Sequence, residues 1–196
     1  MRIGSLLAAS ILLAAAAACG SGGEGGDNAA DGNVAAGGNA QQAQAGRSIG
    51  DAAAQSADLA QFSQAVQAAG LTDTLRSSGP YTVFAPVNAA FQAVPQEART
   101  RLMAAEGRER LTELLTFHIV PGVITAEDLD AAIRRGQGRA TVTTVSGANL
   151  TVSREGNALV IADPSGSRAR VVQADRIQSN GVIHHVDALL MPGGGR

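Results

Sequence analysis

The sequence predicts a mixed α/β domain, helical in its first half and strand-rich in its second. Two patterns carry this expectation. Apolar residues recur at helical spacing between Leu59 and Ile133. After Gly138 they give way to short runs of β-branched residues separated by Gly- and Asn-containing turns. A third observation sets the limits of the domain: from Gly20 to about Gly50 there is hardly a large apolar side chain, so this stretch cannot offset the entropy of its own ordering.

Leu59, Phe62, Val66 and Ala69 fall on one face of a helix that Gly70 ends, and Leu71 and Leu75 continue the apolar pattern. The cluster Ser77-Ser78-Gly79-Pro80 reads as a turn, and Tyr81 to Ala85 as a short buried strand. Asn88 stands where a helix cap is expected, ahead of Ala89, Ala90 and Phe91, because its side-chain oxygen can accept a backbone N–H. Pro95 permits a new helix near Gln96, with Leu102 and Met103 as its inward residues. Leu111, Leu114, Leu115 and His118 follow i, i+3, i+4, i+7 spacing on one helical face, and Pro121-Gly122 breaks that helix. Thr125 and Asp128 form an imperfect capping box for a further helix with Leu129 and Ile133 facing inward, closed by Gly136 to Gly138.

The second half reads as strands at Ala140 to Val145, Asn149 to Ser153 and Ala158 to Ala162, joined by hairpin turns. After the turn Asp163 to Gly166, Arg170 to Gln173 is the next strand. Asn180-Gly181 favours positive φ and a tight turn before the strand Val182 to Val186. Leu189, Leu190 and Met191 complete the apolar pattern, and residues 193–196 are a loose tail.

The 196 residues suffice for one ordinary domain and some extra length. The hydrophobic fraction of 45% is inflated by alanine and only 3% of residues are aromatic, so the core must be built from Leu, Ile, Val and a few Phe. The formal charge is −2 with both signs interspersed, which argues against nucleic acid as a partner, since phosphate binding needs a concentrated basic surface. A lone cysteine, Cys19, permits no intramolecular disulfide.

Residues 1–18 read as an export signal: Arg2 supplies the positive end, Ile3 to Leu13 the apolar core and Ala14 to Ala18 the small residues. The run is short and alanine-heavy for a permanent membrane span. Ala16-Ala17-Ala18-Cys19 resembles the lipobox of bacterial lipoproteins, with Ala16 where Leu is commonest. That resemblance implies cleavage before Cys19 and acylation of its thiol; the alternative is ordinary secretion with Cys19 as a free thiol. Buried acyl chains stabilise membrane attachment by about 0.8 kcal/mol per CH₂, which makes a multiply acylated terminus a tether. Gly20, in place of the Asp that retains some lipoproteins at the inner membrane, implies by the same resemblance the outer membrane or the periplasmic face of the envelope as the address. Residues 19–50 form a Gly/Ala/Asn-rich linker expected to behave as a coil with a reach of about 30 Å. The folded domain is expected at 51–192.

Three segments in order, YTVFAPVNAAF from Tyr81, LLTFHIVPGVITAEDL from Leu114 and IQSNGVIHHVDALLMP from Ile177, resemble the fasciclin-like domain family. The resemblance covers Asp51 to Pro192. It implies a β-sandwich or wedge carrying a cluster of helices from the first half, and a binding or adhesive role. Val87 stands where the family often has Thr. Phe117-His118 stands where animal members carry the Tyr-His pair to which adhesion has been attributed, so these two are the candidate interaction residues, without the phenolic hydroxyl. Asn88, Asn180, Gly181 and His184 are read as structural members of the motifs.

The histidines also have a plainer reading. His118 on an apolar face is expected to be a core residue bonded to backbone or to a carboxylate. His184 and His185, adjacent in a strand, point to opposite faces and cannot both ligate one metal. A zinc site from His118, one strand histidine and Asp175 or Asp187 would lack any metal-ligand spacing, so no metal and no cofactor are expected. No Gly-x-Ser-x-Gly elbow occurs and Cys19 lies outside the domain, so enzymatic activity is not expected. The function that follows is an envelope-tethered module contacting an envelope or matrix protein or polymer. The alternative is a carrier of an apolar small molecule, and a hydrolase or metal enzyme ranks last.

Overall fold

A computed structural model describes residues 46–77 and 79–192. The signal segment, Cys19, most of the linker and residues 193–196 lie outside the described residues. Among those described, no helix is long and apolar enough to cross a membrane.

The chain opens with α1 (Ile49–Gln55), a 3₁₀ turn (Ala57–Leu59), α2 (Ala60–Ala69) and α3 (Thr72–Arg76). Ser48 caps α1, its hydroxyl accepting the Asp51 N–H at 3.2 Å and donating to the Asp51 carboxylate at 2.7 Å. Ile49 and Gly50, expected at the end of the linker, are instead buried in the domain. The reason is that Ile49 is the first large aliphatic residue after Val34, and the core takes it. Gly70 ends α2 in the left-handed conformation (φ 74°), donating to Gln67 O while Leu71 N–H reaches back to Val66 O.

Next come β1 (Tyr81–Pro86), α4 (Asn88–Gln92), α5 (Gln96–Met103), α6 (Arg108–Phe117) and β2 (Ile119–Pro121). Helix α7 (Ala126–Arg135) carries a complete capping box between Thr125 and Asp128. The remaining strands are β3 (Arg139–Thr143), β4 (Asn149–Glu155), β5 (Ala158–Ala162), β6 (Arg168–Gln178) and β7 (Gly181–Val186). Three expectations are corrected here. Met103 is exposed rather than inward, because α5 lies at the periphery and buries none of its residues fully. The helix before Pro121-Gly122 ends at Phe117, because Ile119 and Val120 pair with β1 as a strand. Strand β6 runs on to Gln178, with register shifts between Val171 and Arg176 and Asp175 at φ 57° absorbing the residues that break the strand pattern.

The seven strands run β2-β1-β7-β6-β5-β4-β3. All neighbours are antiparallel except β1 and β7, which are parallel. Just past β3, Val145 N–H donates to Ile119 O at 2.7 Å, drawing the two edges together into a near-barrel. The parallel pair is buried on both faces, as parallel strands usually are. On one side Val83, Ala85 and Ile183 meet Phe62, Leu111 and Leu115 of the helices. On the other, Phe84 and Val186 meet Phe117, Leu129, Leu150 and Ile161 inside the curled sheet.

Candidate functional site

The segments that resemble fasciclin-like domains converge around β1 and β7. Phe117 and His118, the candidate interaction pair, are both 0% exposed. Phe117 belongs to the core inside the sheet and its ring meets the His118 ring edge-on, with centroids 6.3 Å apart. The expectation of a direct surface contact through these two is therefore corrected: α6 turns this end of its apolar face inward. His118 Nδ1–H donates to Leu114 O at 2.8 Å, and Nε2 accepts the Leu190 N–H at 3.1 Å. Those partners define a neutral ring with its proton on Nδ1. Burial pushes the pKa down to about 4, against the opposing pull of the Leu114 carbonyl and the Asp163 charge. His118 thus ties the end of α6 to the C-terminal segment 72 residues away.

His184 is used in the same way. Its Nδ1 accepts the Asp175 N–H at 3.2 Å, so the proton sits on Nε2, which donates to Ile124 O at 2.9 Å. The ring stacks on Phe84 with centroids 5.5 Å apart, and burial lowers its pKa. The carboxylates that a metal site beside it would need are engaged elsewhere: Asp175 accepts from Ala126 N–H at 2.7 Å and Asp187 from Arg170 N–H at 2.7 Å. Among the described residues no three His, Cys, Asp or Glu side chains gather as a ligand set.

Asn88 and Asn180 hold distant segments together. Asn88 is not the cap of its own helix, a position held by Val87; its Oδ1 accepts the Gln61 N–H at 3.0 Å and its Nδ2 donates to Ala57 O at 2.7 Å. It therefore satisfies the start of α2 from across the structure, where an orphan N–H needs a partner. Asn180 Oδ1 accepts the Ile49 N–H at 2.8 Å, and its Nδ2 donates to Leu75 O and Ser77 O at 2.9 and 2.7 Å. Its backbone does not take the expected positive φ; only Gly181 does, at 149°. Gly181 is required by close approach as well, because a Cβ there would sit 1.8 Å from Tyr81 O of the parallel strand.

His185 alternates to the face opposite His184. It is only 4% exposed, yet among the described residues no hydrogen bond reaches its ring. It lines a cavity of about 260 Å³ with Arg47, Asp58, Arg176, Gln178 and Ile183. Burial lowers its pKa, with Arg176 and His184 acting in the same direction and Asp58 against them. A second, wider cavity of about 510 Å³ is lined by Pro80, Val123, Ile177 and Val182 among others. Sequence reasoning missed both. The one available signal was the alternation of adjacent histidines, which had to place one of them away from the other's partners.

A seven-stranded near-barrel with one parallel pair, β1–β7, next to the edge strand β2, a cluster of helices from the first half against that pair and α7 against the core inside the sheet, defines the FAS1 class of fold. The Fasciclin domain family model matches residues 57–192, and the chain belongs to that family. It is 39% identical over 129 residues to Protein sll1483 of Synechocystis sp., covering 65% of this chain and 64% of that protein. It is 34% identical over 128 residues to the transforming growth factor-beta-induced protein ig-h3 of Sus scrofa, covering 65% of this chain and 17% of that one. With the Immunogenic protein MPB70 of Mycobacterium bovis it shares 34% over 122 residues, covering 62% and 54%. Among solved structures it is similar to a FAS1 domain pair from the insect cell adhesion molecule fasciclin I, with TM-score 0.66 and 18% identity, covering 73% of this chain and 50% of that one. The chain thus spans less than two thirds of the length of each of these relatives.

Proposed function

We propose that the protein is a binding and adhesion module, tethered to the cell envelope through an acylated Cys19, that contacts an envelope or matrix protein. The observation that carries the binding surface is the wider cavity. Val123 and Ile177, 52% and 55% exposed, stand beside Pro80 and Val182 on a frame fixed by Asn180. Large aliphatic side chains held in the open on rigid backbone favour association, since their burial against a partner gains about 25 cal/mol per Å². Membership of the fasciclin family supports the reading, as does the description of fasciclin I as a cell adhesion molecule. Phe117 and His118 contribute by holding the frame, not by touching the partner. The alternative of an apolar carrier draws less support, because the smaller cavity is lined mainly by polar and charged side chains.

The binding claim is tested by the pair Val123→Glu and Ile177→Glu in the full chain. Loss of binding to envelope or matrix protein preparations with an unchanged melting temperature is expected. Undiminished binding, or binding only to a polymer stripped of protein, overturns this surface. The tether is tested separately by comparing intact mass and membrane fraction of the full chain and Cys19→Ser in a bacterial host. Equal, unacylated and soluble products would contradict it.

A further inference from the structure

Where the chain enters the domain, three ties run from residues 47–51 to the wall of the wider cavity. Arg47 O accepts the Ser179 N–H at 2.8 Å, Asn180 Oδ1 accepts the Ile49 N–H at 2.8 Å, and the Asp51 carboxylate accepts from Arg76 Nε at 2.9 Å. Ser179, Asn180 and Arg76 all line that cavity. The middle tie follows from helix geometry, because the first N–H groups of a helix have no partner within it. Ser48 answers that of Asp51, whereas that of Ile49 is answered from the turn of the cavity wall. Asn180 passes the connection on. Its Nδ2 donates to Leu75 O and Ser77 O at the end of α3, and its backbone O accepts the Tyr81 N–H at 3.1 Å.

Helix α1 is lightly held by comparison. Ile49 is its one large aliphatic side chain, and the other residues it buries are Gly50 and Ala53. A Cβ at Gly50 would come 3.0 Å from Arg76 Cγ and 3.4 Å from the Leu75 backbone, so α1 lies close on α3 because residue 50 has no side chain. The Asp51–Arg76 pair is exposed on both sides, 41% and 50%, and such pairs contribute little. Elements at a chain end with few buried apolar side chains are the first to open.

We propose that residues 47–55 are a strap that regulates the wider cavity. Docked, the strap holds the turn at Ser179 and Asn180 in the binding shape; released, it slackens that wall and partner binding weakens. This rests on the reading of the wider cavity as the binding surface. Linkage is reciprocal, so a partner seated in the cavity holds the strap down by the same factor. Helix α1 is the first element of the domain, and tension arriving from an anchored Cys19 therefore loads the strap before any other element.

Amide hydrogen exchange of the full chain, read residue by residue, tests the strap without a partner. The Ile49 and Ser179 N–H groups are expected to exchange together, at least about tenfold faster than the Leu190 N–H that His118 holds. Two variants release the strap without touching a residue that lines the cavity: Gly50→Leu forces α1 off α3, and the milder Ser48→Ala removes its cap. Both are expected to speed Ile49 and Ser179 together, by about tenfold in Gly50→Leu, to move the methyl signals of Ile177 and Val182, and to leave Leu190 unchanged. Binding of Gly50→Leu to the envelope or matrix protein preparation that retains the wild type is expected to fall about tenfold. Acceleration of Ile49 without Ser179, equal acceleration of Leu190 in both variants, unmoved Ile177 and Val182 signals, or undiminished binding would each overturn the proposal. A wild type that no preparation retains would count against the adhesive surface instead, and the exchange and methyl signals then decide the strap by themselves.

Discussion

His184 and His185 are neighbours in one strand, both almost wholly buried, and they differ in their partners. The first is bonded at both ring nitrogens and stacked on Phe84; the second faces a polar cavity, with no hydrogen bond to its ring among the described residues. Burial therefore does not separate a structural histidine from an available one. The account of its hydrogen-bond partners does. His118 falls with His184: it is a neutral cross-link between α6 and Leu190 and has no surface to offer.

The largest effects are expected on removing the bonded rings. His118→Ala and His184→Ala each leave a cavity and orphan two backbone groups, so each is expected to lower unfolding free energy by about 3–5 kcal/mol in urea titrations. Little change in either would mean that the ring bonds are not holding the segments. Asn180→Ala removes three hydrogen bonds that join Ile49, Leu75 and Ser77 to one turn, and an expected loss of about 2–4 kcal/mol follows.

Acid should act in the same direction. The folded His118 has a pKa of about 4 against an ordinary value of 6.5. Between those limits the unfolded chain binds a proton that the folded chain refuses, so stability is full above pH 6.5 and falls as pH drops towards 4. At about 1.4 kcal/mol per pKa unit the loss is on the order of 3 kcal/mol, and the lowered pKa values of His184 and His185 add to it in sign. Asp163, whose carboxylate is bonded by Ser165, Met191 and Ser167 strongly enough to outweigh its desolvation, loses its contribution only below its ordinary value of 3.8. A stability profile flat from pH 7 to 4.5 in wild type, matched by His118→Ala, would contradict this. The smallest effect is expected for His185→Gln, under about 1 kcal/mol, because no hydrogen bond to its ring is lost among the described residues. If it cost as much as His184→Ala, the distinction between the two rings would be falsified.

The features legible in the sequence were those with local causes. The apolar face from Leu59 to Val66, the stop at Gly70, the capping box of Thr125 and Asp128, and the strand Ala158–Ala162 all depend on residues a few positions apart. The features that were not legible depend on distant partners. Asn88 looks like a cap by position, but its acceptor serves a helix 27 residues upstream. Ile49 reads as the end of a linker until Asn180, 131 residues away, accepts its N–H. Strand β2 is three residues long and exists because β1 lies beside it. The inward turn of Phe117 and His118 was half visible in the spacing of Leu111, Leu114 and Leu115, whereas the cavity at His185 joins Arg47 and Asp58 to the far end of the chain, and no local pattern announces that.

The bonded histidines are fixed neutral cross-links, and of the three His185 alone is open. Ring ¹⁵N spectra of the full chain between pH 8 and 4 test it most directly. A single Nδ1–H tautomer is expected for His118, still neutral at pH 5, with a single Nε2–H tautomer for His184 and averaged tautomer signals for His185. Mixed tautomers or ordinary titration near pH 6.5 at His118 or His184 would contradict it.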